Sequence, residues 1–113
     1  MDGVFVELSV FEAKRADYLS DDQFKEFQQM LLKNPTCGDV IPHTGGLRKI
    51  RFADARRGKG KRGGLRVIYY WWLERSHFLL FAVYDKDQKD DLSRDEQDIL
   101  RKMLERLKQG GTL

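Results

Sequence analysis

A single cysteine, Cys37, stands in a chain of 113 residues, alongside two histidines and two prolines. One thiol cannot close an internal disulfide, and without companions it cannot hold zinc. So few thiols and imidazoles leave little material for a metal centre or a Cys-His nucleophile. No cofactor is expected. A lone reduced cysteine fits a cytoplasmic setting. No apolar run approaches the ~20 residues that cross a bilayer, so no membrane association is expected. Residues 1–8 carry Asp2 and Glu7 and lack the basic, apolar, small-residue order of a signal peptide. No Ser-His-Asp order stands out. Gly58-Lys59-Gly60 does not lead from a strand into a helix, as a dinucleotide site requires. His43, in a Pro/Gly loop, and His77, in a turn, read as surface or structural residues.

What is present is charge, unevenly placed. Charged residues make up 35% of the chain, above the usual ~25%, yet 12% aromatics mark a folded protein. The length suits one domain, 1–113. The net charge is only +3, but residues 47–66 hold nine basic side chains against the single acid Asp54. That segment is +8, while the other 93 residues sum to −5. Crowded like charges repel unless an anion lies among them, and a polyphosphate chain is the natural anion. Gly58, Gly60, Gly63 and Gly64 are interleaved with the cations and allow backbone N–H groups to approach an anion closely.

Hydrophobic spacing sketches the elements. Residues 4–8 are β-prone and read as an edge strand. Ser9 is the expected N-cap of a short helix over 10–17. Ser20 with Gln23 forms a capping box, and Phe24, Phe27 and Leu31 then share one helical face. The Asn34-Pro35 step ends that helix, and residues 36–46 read as a loop. Residues 47–53 alternate, placing Ile50 and Phe52 toward the core and Lys49 and Arg51 together on the opposite face. Residues 65–73 are apolar on both faces, as a central strand is. Residues 78–84 form a third run, and short connections predict an antiparallel meander. Ser93 and Glu96 form a second capping box, opening a helix whose stripe runs through Ile99, Leu100, Met103, Leu104 and Leu107. The expected fold is α+β: a small antiparallel sheet packed against two N-terminal helices and a C-terminal helix, with the helices on one face.

The chemistry left to such a chain is that of clustered cations beside hydroxyls. Arginine grips phosphate with a two-pronged fork, and a crowded lysine loses its proton more readily. Tyr69, Tyr70, Trp71, Trp72 and Tyr84 are able to stack on bases, but a small sheet must bury most of its aromatics. Tyr84, at a strand end before Asp85 and Lys86, is expected at the rim of a groove.

Taken together, Gly45-Gly46-Leu47-Arg48-Lys49-Ile50-Arg51, Gly58-Lys59-Gly60-Lys61-Arg62-Gly63-Gly64, Arg66-Val67-Ile68-Tyr69-Tyr70 and Val83-Tyr84-Asp85-Lys86 resemble the HigB branch of the RelE/ParE toxin superfamily. The likeness extends to Val4-Phe5-Val6-Glu7, the Asn34-Pro35 link and Asp91-Leu92-Ser93, nearly the whole chain. It implies the RelE-like microbial ribonuclease-type fold. It also implies the toxin of a type II toxin–antitoxin pair, an endoribonuclease that enters the ribosome and cuts mRNA in the A site. There the 2′-hydroxyl attacks the adjacent phosphate without a metal, and translation stops. By the same resemblance Lys49, Arg51, Arg66, Tyr84 and Lys86 are the catalytic set, with Arg66 stabilising the phosphorane. Arg48, Arg56, Arg57, Lys59, Lys61 and Arg62 would hold RNA and ribosome. Arg51 stands where relatives carry a lysine and cannot act as a base, leaving Lys49, Lys59 and Lys61 for that task. Asp87 stands where relatives carry a basic group, leaving Lys86 or Tyr84 as the acid. The implied partners are a HigA-like helix-turn-helix antitoxin, the ribosome with its mRNA, and operator DNA through the antitoxin complex alone. The alternative within the superfamily is a non-catalytic, ParE-like toxin that poisons a protein target such as DNA gyrase.

Overall fold

The computed structural model describes residues 3–53, 64–89 and 91–110. In chain order the elements are β1 (Val4–Glu7), α1 (Ser9–Tyr18), α2 (Asp21–Lys33), β2 (Asp39–Val40), β3 (Arg48–Phe52), β4 (Leu65–Trp72), a 3-10 turn (Leu73–Arg75), β5 (His77–Asp85) and α3 (Arg94–Lys108). The five strands form one sheet in the order β1-β5-β4-β3-β2. The α+β class is as expected.

Both predicted capping boxes are present. The Ser20 hydroxyl accepts from the Gln23 N–H at 3.1 Å, and the Gln23 side chain accepts from the Ser20 N–H at 2.9 Å. Ser93 and Glu96 repeat the reciprocal pair at 3.1 and 2.9 Å. Each box satisfies two donors that a helix start leaves open. The first helix differs: Leu8 is its N-cap, without a side-chain bond, and Ser9 is already helical. Leu8 is buried and its N–H is bound to Leu80 O at 3.0 Å, so sheet pairing sets that boundary.

Three details of the predicted topology are corrected. First, β1 runs parallel to β5, with Val4 opposite His77, so the sheet is mixed. Parallel neighbours need a crossover, and all the elements from α1 to β4 intervene between these two strands. Second, residues 39–40 within the predicted loop form the edge strand β2, antiparallel to β3. Two residues are too few to show alternation. Third, the helices cover both faces. Phe11, Phe24, Phe27 and Leu31 of α1 and α2 pack with Ile50, Leu65, Val67, Tyr69, Phe78 and Leu80. On the other face Leu104, flanked by Leu100, Met103 and Leu107, packs with Ile68, Leu79, Phe81 and Tyr84. A central strand apolar on both faces needs a cover on each, which is the role of α3 here. A bulge between Ile68 and Tyr69 leaves Phe81 without an opposite residue on β4, and Phe81 joins the α3-side core.

The connection into β3 is fastened from two sides. The Thr44 hydroxyl donates to Ile41 O at 2.7 Å and accepts from the Leu47 N–H at 3.2 Å. The Tyr69 hydroxyl donates to Pro35 O at 2.8 Å and accepts from the Gly38 N–H at 3.0 Å. Gly38 is required there, since a Cβ would lie 2.9 Å from the Tyr69 ring and 3.0 Å from Lys49 O. Burial raises the Tyr69 pKa far above the ordinary phenol value, so the hydroxyl keeps its proton. Tyr69→Phe strips one bond from the buried Gly38 N–H and one from the part-buried Pro35 carbonyl. It is expected to cost about 1–3 kcal/mol of stability, read from the midpoint of urea unfolding.

Candidate functional site

Strand register assembles residues that lie far apart in the chain. Arg51 of β3 is directly opposite Arg66 of β4, and Arg66 is directly opposite Tyr84 of β5. The three form one rung across the sheet, on the face that α3 covers. The adjacent rung runs from Asp39 of β2 through Lys49 and Ile68 to Ala82. Residues opposite one another in an antiparallel pair have Cβ atoms about 5 Å apart. Lys49, Arg51, Arg66 and Tyr84 therefore share one small area.

The rung grades from buried to exposed. Arg66 is 1% and Tyr84 5% accessible, the Lys49 side chain is 12% accessible, and Arg51 is exposed. Tyr84 thus lies in the floor of the site, whereas the sequence suggested the rim. Arg51 and Arg66 occupy directly opposite positions, which brings two positive charges to one part of the sheet. The segment entering α3 supplies carboxylates nearby. Asp91 Oδ1 lies 2.5 Å from Lys49 Nζ. Lys89 pairs with Glu96 and stands 5.2 Å above the Tyr84 ring. Buried Asp85 accepts from the Asp87 N–H at 2.9 Å.

The hydrogen bond from Lys89, and then the Ser93 N–H, lower the Glu96 pKa below its usual value. A carboxylate whose folded pKa is depressed adds stability above its unfolded pKa, and that stability is lost as pH falls through the folded value. Glu96→Gln keeps an acceptor for the capping box but gives up the charge. The variant should be less stable than the parent at neutral pH, and the difference should vanish once acid has protonated Glu96. Urea midpoints across that range measure it.

Two hollows meet at this corner. A cleft of about 380 Å³ is lined by Asp39, Val40, Ile41 and Pro42 on one side and Asp91, Leu92 and Gln97 on the other. A trough of about 1080 Å³ runs between the outer face of α2 and β3, past Lys25, Gln29, Lys33 and Cys37. Lys49 and Arg51 line both and form the ridge between them. Among the described residues no three histidine, cysteine, aspartate or glutamate side chains gather as metal ligands.

The other predicted site residues fall elsewhere. Lys86 follows β5 and is half-buried, its N–H bound to Gly64 O at 3.1 Å, which ties the exit of β5 to the start of β4. Arg48 lies on the opposite face of β3 from Lys49. It braces the 36–38 turn, donating to Gly38 O at 2.7 Å and Thr36 O at 3.2 Å. Arg56, Arg57, Lys59, Lys61 and Arg62 lie outside the described residues. The aromatics beside the row are taken up by packing: Tyr69 is in the α1–α2 core, Trp71 contacts Phe78 at 4.4 Å, and Arg75 stands 4.5 Å over Trp72. Sequence reasoning missed Asp39, Lys89, Asp91 and Gln97. Only the spatial approach of β2 and α3 to β3 gives them a place, and spacing along the chain carries no trace of it.

No protein-family model matches the sequence. Among solved structures, the chain resembles a mutant of the Escherichia coli toxin RelE in the free state, with a TM-score of 0.58 and 14% identity. The match covers 80% of this chain and 90% of that one. At this identity the likeness establishes a shared fold, the RelE-like arrangement of three helices and a five-stranded sheet among the described residues.

Proposed function

We propose that this chain is the toxin of a type II toxin–antitoxin pair, of the HigB branch, and that it cuts mRNA in the ribosomal A site. The observation that carries the reading is the Arg51–Arg66–Tyr84 rung with Lys49 beside it, on a fold shared with RelE. A row of cations graded from a buried floor to an exposed lip suits a phosphodiester drawn in from an extended strand.

In the proposed reaction the ribose 2′-oxygen attacks the adjacent phosphorus and the bond to the 5′-oxygen breaks. The products are a 2′,3′-cyclic phosphate and a free 5′-hydroxyl. Arg66 and Arg51 oppose the charge that builds on the non-bridging oxygens. Neither accepts a proton, so the 2′-proton passes to the Asp91 carboxylate, either directly or by way of Lys49, which hands its own proton to Asp91 as it takes that of the 2′-hydroxyl. The departing 5′-oxygen takes a proton from Tyr84 or Lys86. The basic residues 56–62 add phosphate contacts, which makes binding steeply salt-dependent. A HigA-like helix-turn-helix antitoxin neutralises the toxin, and operator DNA is bound through that complex.

A translating extract tests the reading. The parent protein should yield codon-spaced cuts ending in cyclic phosphate, and Lys49→Ala combined with Arg51→Ala should abolish them while the circular dichroism spectrum stays native. Intact messages together with altered DNA supercoiling would replace this reading with the gyrase-poison alternative.

A further inference from the structure

From the cleft between β2 and α3 we infer a nucleobase subsite that admits bases bearing an exocyclic amino group and disfavours uracil. This rests on the proposed RNA-cutting function only for its biological use; the recognition is argued from the cleft. Its volume of about 380 Å³ is in the range of small-ligand pockets. Val40, Ile41, Pro42 and Leu92 supply apolar walls, and Lys49 and Arg51 line the same cleft. A nucleotide whose phosphate rests on those two cations has its base within reach of the walls.

The polar groups set the preference. Asp39 is directly opposite Lys49 in register and so lies on the same sheet face. Its carboxylate, the Gln97 carboxamide and the Arg51 guanidinium have no side-chain hydrogen bond or ion pair among the described residues. Asp91, the other carboxylate of the lining, holds Lys49. A carboxylate only accepts hydrogen bonds. It pairs with the amino groups of adenine, guanine and cytosine, whereas uracil offers it only the N3–H, flanked on both sides by carbonyl oxygens that the carboxylate repels. Gln97 both donates and accepts, so it adds affinity to whichever base the carboxylate admits. A good side-chain–base pair is worth about a tenfold or greater discrimination.

Titration of the labelled full chain with the four ribonucleoside 3′-monophosphates, followed by NMR, tests the inference. AMP, GMP and CMP should shift the Ile41, Leu92 and Gln97 signals and bind about tenfold more tightly than UMP. Inorganic phosphate should shift Lys49 and Arg51 while leaving Leu92 unmoved. Asp39→Asn, an exposed change, should shrink the margin over UMP to less than about threefold. Equal binding of all four nucleotides would overturn the subsite. So would shifts confined to Lys49 and Arg51, or a ranking untouched by Asp39→Asn. The translating extract fails independently: intact messages with the nucleotide ranking preserved would remove the nuclease reading and leave the subsite, and cut messages without a ranking would do the reverse.

Discussion

Arg66→Met is expected to lower mRNA cutting by about two to three orders of magnitude, the usual penalty for losing one preorganised donor to a developing oxyanion. Methionine keeps the length and apolar character of the arginine stem, which matters at a position only 1% accessible. The Arg66 guanidinium also donates to Leu65 O at 3.4 Å, so the change gives up buried contacts together with the charge. The melting temperature should therefore fall by several degrees while the circular dichroism spectrum stays native. A fall in cutting far out of proportion to the loss of stability is the signature of a residue kept for chemistry. Arg66→Lys retains the charge but not the fork and should fall between the two. If Arg66→Met cut messages at the parental rate, the rung would not be where the reaction occurs.

Phe27→Ala should destabilise the fold by about 3–5 kcal/mol, the range for deleting a fully buried phenyl group. Phe27 is 0% accessible. It meets Phe52 of β3 edge-on at 5.6 Å between ring centroids and Phe24 at 6.4 Å. A domain this small has only about 5–15 kcal/mol in total, so the variant would be near its unfolding threshold. The effect reaches the site without touching it. Phe52 follows Arg51 on β3 and faces α2, so loosening Phe27 loosens the strand that carries Lys49 and Arg51. Urea unfolding should show a clearly lower midpoint, and cutting should fail at temperatures where the parent is active. Phe27→Leu, which fills most of the volume, should recover most of both.

Much of this arrangement is legible in the sequence because it is local. The reciprocal Ser20–Gln23 and Ser93–Glu96 bonds depend on residues three apart, and both boxes form. The alternation that separates Lys49 and Arg51 from Ile50 and Phe52 is a property of one strand. What escapes is set by approach in space. Nothing near residues 39–40 announces a strand, because its partner supplies the pairing. The two-faced apolarity of β4 already called for a cover on each side, and α3 provides the second. Burial of Tyr84 follows from Lys89 and the start of α3 lying against the end of β5, contacts that polar residues at a strand end do not foretell. The Lys49–Asp91 pair joins two loci with no shared motif.

The parallel pairing of β1 with β5 has a consequence for how the protein comes into being. Val4 finds its partner in His77, and Arg51 and Arg66 wait for Tyr84. A nascent chain emerging from the N-terminus therefore carries a strand without a ladder until β5 is made. Because such distant contacts form late and slowly, the Arg51–Arg66–Tyr84 rung is assembled only after β5 has been made. Under the proposed function, the ribosome translating this message is spared a finished site until that point.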